Sequence, residues 1–134
     1  LLYQDLLSTT KVPILGVVRA GLPNFSENNV VGYESVEKNE YSTEHFYLRV
    51  KGDSMIDIRI HDGDLVYIKK QNYLNNNEIG VVMINDEVTL KRVKIDENNI
   101  YLLSENKKYP PMEYNLLDNQ VHILGKLIHC KIMY

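Results

Sequence analysis

Short segments in which apolar and polar residues alternate, each bounded by turn residues, constrain the fold of this chain more than any other feature. A period of two places one set of side chains on a core and the other in solvent, as in a half-buried β-strand. Only residues 54–59 are predicted to form a helical turn, so the chain is expected to be mainly β. Strands are predicted at residues 46–50, 64–70, 79–84, 87–93, 100–103 and 121–132, with a short one near Val30 and Val31.

Turn and breaker residues refine this pattern. Asn85 and Asp86 separate two apolar runs by two residues, which is the length of a tight β-hairpin connection. Gly125 lies inside the last strand and predicts a bulge or a bend there. Residues 12–19 are apolar and β-branched but are interrupted by Pro13 and Gly16, which favours an edge or detachable extended segment over a central strand.

Composition limits the classes of function. The 134 residues fit one domain with a modest core, and 44% hydrophobic and 25% charged residues are typical of a globular protein. A net charge of −3 argues against binding of nucleic acid phosphates by this segment itself. No apolar run approaches the length that spans a bilayer, so a cytoplasmic location is expected. The lone Cys130 is interpreted as a small buried hydrophobe.

The chain starts at Leu1 rather than Met, and residues 1–11 show no sustained period. We therefore expect residues 1–11 to be a linker or arm that follows a missing N-terminal domain. Residues 12–134 are expected to form the one folded domain. The acidic residues show no metal-ligand spacing, and neither a metal nor a cofactor is expected.

The block Gly52-Asp53-Ser54-Met55 directly follows a predicted strand, and a serine hydroxyl needs a nearby base to become a nucleophile. A histidine triad is not supported, because the four histidines are scattered and Ile56 breaks the G-x-S-x-G elbow. Gly-Asp-Ser-Leu esterases need a late Asp-x-x-His, which residues 118–121 do not provide.

A lysine can act as the base when burial lowers its pKa and leaves a neutral amine. Lys91 lies in a predicted strand with apolar neighbours, and Arg92 follows it. Alternation places the two cations on opposite faces of that strand, so one of them is expected to point inward. The alternation alone does not decide which one.

Several blocks, taken in order, resemble the C-terminal domain of the LexA family of repressors, which includes lambda-type phage repressors and the polymerase accessory protein UmuD. This resemblance identifies Ser54 as nucleophile, Lys91 as base and Ala20-Gly21 as the scissile pair, and the separations between them are of the size the family shows. The matching blocks are Ala20-Gly21, residues 52–55, His61-Asp62-Gly63-Asp64, residues 86–92, residues 103–106 and residues 123–126.

The resemblance implies a fold like that of LexA and the signal peptidases, with twisted antiparallel sheets of the β-clip kind. It implies a domain at residues 12–134 that forms homodimers and cleaves itself, with a cleavage-site loop at about residues 12–32. The implied inducer is a RecA filament or an antirepressor, in the SOS response to DNA damage, and DNA is bound only through the missing N-terminal domain. The backbone N–H groups of Asp53 and Ser54 are the predicted oxyanion hole.

Alternatives remain open at this point. A UmuD-like polymerase accessory protein would need only a short N-terminal arm. A relative of the type I signal peptidases would need a membrane anchor, which this segment lacks. In a third alternative Ser54 and Lys91 are vestigial, and the domain only dimerises or receives an antirepressor.

Overall fold

The computed structural model describes residues 9–16, 18–19, 22–23, 29–38 and 44–133. The expectation of a mainly β chain is confirmed, with a 3-10 turn at Ile56–Ile58 after the candidate serine. None of the helical segments in these ranges is long and apolar enough to cross a membrane. The strands are β1 (Thr9–Leu15), β2 (Val18–Arg19), β3 (Leu22–Pro23), β4 (Val30–Glu37), β5 (His45–Arg49), β6 (Leu65–Lys70), β7 (Ile79–Ile84), β8 (Glu87–Asp96), β9 (Asn99–Leu103), β10 (Met112–Asn115) and β11 (Val121–Lys131).

Nine of these strands form one sheet in the order β10-β9-β8-β7-β11-β6-β5-β1-β4, and β2 pairs with β3 separately. All neighbours are antiparallel except β1 and β5, so the sheet is mixed. The edge position expected for residues 12–19 is wrong for β1, which lies between β4 and β5. The parallel pairing with β5 begins at Ile14, one residue after Pro13, so proline is not required to donate to that ladder.

Several strands differ from the sequence prediction. β1 begins at Thr9, within the residues 1–11 that were expected to be a linker or arm. β4 covers Val30–Glu37 rather than a short segment near Val30 and Val31, because it pairs along the whole length of β1. β10 was not predicted, and it pairs with β9 at the other end of the sheet. Both are edge strands whose residues are mostly exposed or partly exposed, which explains their weak apolar alternation.

The predicted hairpin at Asn85 and Asp86 is confirmed. Ile84 pairs with Glu87, and the two residues between them have positive φ angles of 47° and 73°. Positive φ at both central positions is typical of the two-residue turn that matches strand twist, and Asn and Asp tolerate it better than most residues. The hairpin joins β7 to β8, the strand that carries Lys91.

The main core cluster lies beneath the candidate site and includes Met55, the residue after Ser54. Cys130 packs against this cluster, as expected for a small hydrophobic residue. It is only partly buried, however, whereas full burial was expected. Burial and the neighbouring Asp64 carboxylate raise the pKa of the Cys130 thiol to about 11. The cluster consists of Leu15, Phe46, Met55, Ile60, Val66, Ile68, Val81, Met83 and Leu124.

Gly125 forms the predicted bulge in β11. The register against β7 shifts between Ile123 and Gly125. A Cβ atom at this position would lie 2.3 Å from Ile68 Cγ2 and 2.6 Å from the backbone oxygen of Lys69. Glycine is therefore required here by close approach of β6, which leaves no room for a side chain.

We expect Gly125→Ala to lower the free energy of unfolding by about 2 kcal/mol or more, because the added methyl group overlaps β6 backbone that cannot move aside. Urea unfolding at neutral pH measures the change. The matched control is Gly32→Ala, whose Cβ would lie 3.3 Å from the terminal methyl of Ile14 and should cost less than about 1 kcal/mol. Equal losses in the two variants would contradict this interpretation of Gly125.

Candidate active site

The candidate serine lies in the loop of residues 50–55, here called the serine loop, between β5 and the 3-10 turn. Gly52 has a φ of 85°, which favours glycine, and its N–H donates to Asp62 Oδ1 at 2.7 Å. Val50 exchanges two backbone hydrogen bonds with the turn before β6, donating to the Asp64 oxygen at 2.8 Å and accepting from Gly63 N at 2.9 Å. The loop is thus held against the turn that leads into β6.

Met55 anchors the other end of the serine loop, with 1% of its surface exposed. Its carbonyl oxygen accepts hydrogen bonds from the N–H groups of Ile58 and Ile60, which close the 3-10 turn. Ser54 itself is partly exposed. A buried residue next to a partly exposed serine fixes the backbone while the hydroxyl remains reachable.

Lys91 reaches the serine from β8. Its side chain is directed inward and the residue is only 6% exposed, and its Nζ lies 3.0 Å from Ser54 Oγ. Arg92 is directed to the other face, where it forms an ion pair with Glu105. The structure therefore resolves the ambiguity that alternation left between the two cations, and it brings Ser54 and Lys91 together.

Two further oxygens surround the amine. Lys91 Nζ lies 2.5 Å from Thr89 Oγ1 and 3.2 Å from the carbonyl oxygen of Leu90. A neutral amine has two N–H bonds and one lone pair, so these oxygens can accept both hydrogens while the Ser54 O–H donates to the lone pair. Thr89 was not predicted as a site residue, although its i, i+2 spacing from Lys91 on one strand face was the available signal.

Burial lowers the pKa of Lys91 below the ordinary lysine value, and the nearby Glu87 carboxylate opposes this shift more weakly. None of the ion pairs between described residues involves Lys91. Without a paired carboxylate, desolvation favours the neutral form of the amine. The environment of Lys91 is thus suited to a base that accepts a proton from Ser54.

Two cavities, of about 390 Å³ and 350 Å³, meet at the pair, and both are lined by Ser54, Thr89 and Lys91. Such a pair of cavities can hold an extended peptide on both sides of the bond that the serine attacks. The remaining apolar lining of the first is Leu48, Val50, Met55, Val66, Val81, Val88 and Leu90, and that of the second is Ile84, Leu102, Pro110, Met112 and, with polar hydroxyls, Tyr109 and Tyr114.

The structure describes the predicted oxyanion-hole residues, Asp53 and Ser54, but not the predicted cleavage site. The backbone N–H of Ser54 donates to no acceptor within the described residues, which leaves it available to an oxyanion, whereas the N–H of Asp53 interacts with the Asp53 carboxylate. Ala20 and Gly21 lie outside the described residues. The strands that flank them in sequence pair with each other, with Arg19 opposite Leu22. In the described part of the chain, no group of three or more His, Cys, Asp or Glu residues could hold a metal ion.

The sequence of the chain is similar to a known peptidase family and to bacterial repressors. A family model described as Peptidase S24-like matches residues 13–128. The LexA repressor of Leptospira interrogans serogroup Icterohaemorrhagiae serovar copenhageni is 39% identical over 124 residues, which cover 91% of this chain and 59% of that protein. The LexA repressor of Oleidesulfovibrio alaskensis is 40% identical over 118 residues, covering 87% and 56% respectively. The chain thus spans less than two thirds of the length of these curated relatives.

The lowered pKa of Lys91 predicts a specific pH dependence of stability. Between that lowered pKa and the ordinary lysine value, the unfolded chain binds a proton that the folded chain does not, so stability rises with pH in this window. The two proteins to compare are Ser54→Ala and the double variant Ser54→Ala/Lys91→Met. We expect the difference between their free energies of unfolding, Ser54→Ala minus the double variant, to increase with pH. It should level off above the ordinary lysine pKa of about 10.4.

Urea unfolding of both proteins across the alkaline range measures this difference. The Ser54→Ala background removes the hydroxyl from both proteins, so neither is consumed by serine-dependent cleavage during the experiment. Removing the lysine also removes its hydrogen bond to Thr89, which lowers stability by a similar amount at every pH and does not change the slope. A difference that is constant or falls with pH would contradict a lowered pKa for Lys91.

Proposed function

The chain belongs to the Peptidase S24-like family, and from this membership we propose that it is the self-cleaving serine peptidase domain of a LexA-type repressor. Ser54 is the nucleophile and Lys91 the general base. The observation that carries the proposal is the 3.0 Å separation between Lys91 Nζ and Ser54 Oγ, with the lysine 6% exposed and its pKa lowered by burial.

The proposed reaction begins when neutral Lys91 takes the proton of the Ser54 hydroxyl as its oxygen attacks the carbonyl carbon of Ala20. The backbone N–H groups of Asp53 and Ser54 stabilise the tetrahedral oxyanion. Lys91 then gives the proton to the amine of Gly21 as the peptide bond breaks, which leaves Ala20 as an ester on Ser54. Water hydrolyses that ester, with Lys91 again accepting the proton.

Cleavage within the chain itself is supported by where the preceding segment enters the site. Gly16 lines the first cavity together with Ser54 and Lys91. Ala20 follows four residues later, and an extended segment of that length reaches about 14 Å. The backbone of Gly16 also donates to the Asn29 oxygen at 2.8 Å, which joins the two ends of the intervening segment. The short separation in sequence from Gly16, which lines the cavity, supports Ala20-Gly21 as the bond that Ser54 of the same chain cleaves.

At the level of the whole protein, we propose a repressor that forms homodimers through this domain and binds DNA through a separate N-terminal domain. The named relatives are LexA repressors, and they are longer than the matched segment. The net charge of −3 supports a site for DNA elsewhere in the protein. A RecA filament or an antirepressor would act as inducer by favouring the state in which the cleavage segment is docked.

We expect the chain to cleave itself without any activator at about pH 10, because deprotonation of Lys91 supplies the missing base. Ser54→Ala and Lys91→Ala should each lower the rate constant by at least about 10³-fold. Mass spectrometry measures both the extent of cleavage and the new N-terminus, which should be Gly21.

Lys94→Ala removes an exposed lysine from the same strand and serves as the matched control, which should cleave like the wild type. An intact wild-type chain after prolonged incubation would favour a domain that only dimerises or binds an antirepressor. A new N-terminus other than Gly21 would contradict the assigned bond while leaving the assignment of Ser54 and Lys91 standing.

A further inference from the structure

The segment that follows β9, residues 104–109, contacts both sides of the Ser54 and Lys91 pair. Glu105 forms an ion pair with Arg92, the residue after Lys91. Asn106 donates from Nδ2 to the carbonyl oxygen of Asp53, the residue before Ser54, at 2.8 Å. Two adjacent residues of one loop thus hold the immediate neighbours of the base and of the nucleophile.

The orientation of the Asn106 amide is determined by a second hydrogen bond. Its Oδ1 accepts from the backbone N–H of Lys108 at 3.0 Å. Because that oxygen is already directed to a donor, the amide nitrogen is the group that faces Asp53. A longer hydrogen bond from Ile56 N, at 3.3 Å, reaches the same Asp53 oxygen. Asn106 therefore makes the shorter of two contacts that fix this carbonyl.

Fixing the Asp53 carbonyl also fixes the N–H of Ser54, because both belong to one planar peptide unit. No cis peptide bond occurs among the described residues, so the C=O and N–H of this unit point in opposite directions. The Ser54 N–H consequently points away from Asn106, and it meets no acceptor in the described part of the chain. A hydrogen bond from Tyr109 and an ion pair from Lys108 reach the Asp53 carboxylate, and these two contacts do not involve the peptide unit.

We propose that Asn106 is a positioning residue, which holds the Asp53 carbonyl so that the Ser54 N–H is directed at the oxyanion formed during cleavage. This inference rests on the proposed function. A preorganised donor acts only on the charge that develops in the transition state, so its loss lowers the rate of reaction without altering the base. Asn106 accordingly affects the rate of cleavage and not the pH at which Lys91 becomes competent.

The test is the pH profile of the self-cleavage rate constant for Asn106→Ala and Asn106→Asp. Asn106→Ala removes the donor and adds no charge. Asn106→Asp keeps the size of the side chain and an oxygen for the Lys108 N–H, while a second oxygen replaces the donor that faced Asp53. We expect the plateau rate constant to fall by about 10- to 100-fold in both variants, somewhat less than the loss of an oxyanion donor itself. The midpoint of the profile, which is the pH at which the rate constant reaches half of its plateau, should be unchanged in Asn106→Ala.

Asp57→Ala is the matched control. It removes the hydrogen bond from Lys107 N to Asp57 Oδ2, which joins the same two loops, and does not touch the Asp53 carbonyl. Its plateau rate constant should stay within twofold of the wild type. Urea unfolding checks that each variant is folded, and the rate constant, unlike the final extent of cleavage, does not depend on an inactive fraction.

The outcomes separate this inference from the proposed function. Plateau rates within twofold of the wild type in both Asn106 variants would overturn the positioning role and leave the assignment of Ser54 and Lys91 intact. A shifted midpoint in Asn106→Ala would mean that Asn106 merely keeps the serine loop near Lys91, and would also overturn it. A wild-type chain that does not cleave would overturn the proposed function and this inference with it.

Discussion

The contact between Lys91 Nζ and Ser54 Oγ imposes the main constraint on the architecture. β8 carries the lysine and β5 leads into the serine loop, and β7, β11 and β6 lie between them in the sheet. In a flat sheet with strands about 4.8 Å apart, β5 and β8 would be about 19 Å from each other. A 3.0 Å contact therefore requires that this distance be closed by curvature of the sheet, by the serine loop extending back across it and by the length of the lysine side chain. The bulge at Gly125 lies in the middle of these intervening strands, where bulges increase bending and twist.

The burial of Lys91 that this contact requires has a cost for stability and a benefit for function. Burying a lysine penalises its charged form, and the neutral amine that results is the species a serine needs as its base. The oxygens of Thr89, Leu90 and Ser54 satisfy the amine, so no buried polar group is left without a partner there. The loop at residues 104–109 then connects the two halves of the site through Glu105 and Asn106. The site is thus held by hydrogen bonds from elements far apart in sequence.

Local features were predictable from the sequence, and features that depend on distant residues were not. The hairpin at Asn85 and the bulge at Gly125 follow from turn chemistry, which acts over a few residues. The inward direction of Lys91 could not be deduced from alternation. The ion-pair partner of Arg92 on the opposite face is Glu105, which lies in the loop after β9 and is distant in sequence. Most residues of the edge strands β4 and β10 are exposed or partly exposed, and their sequences do not alternate clearly between apolar and polar residues. The position of β1 next to β5 is likewise a long-range pairing, and the Pro13 signal predicted an edge instead.

The most direct test is a measurement of the Lys91 pKa by NMR titration of the side-chain amines of labelled lysine in Ser54→Ala. The Lys91 signal is assigned by its absence from Ser54→Ala/Lys91→Met. A burial-lowered pKa predicts that this signal titrates below the ordinary lysine value, so that the neutral amine is already populated where exposed lysines are charged. A Lys91 signal that titrates at or above the ordinary lysine value would contradict the identification of Lys91 as a base for Ser54.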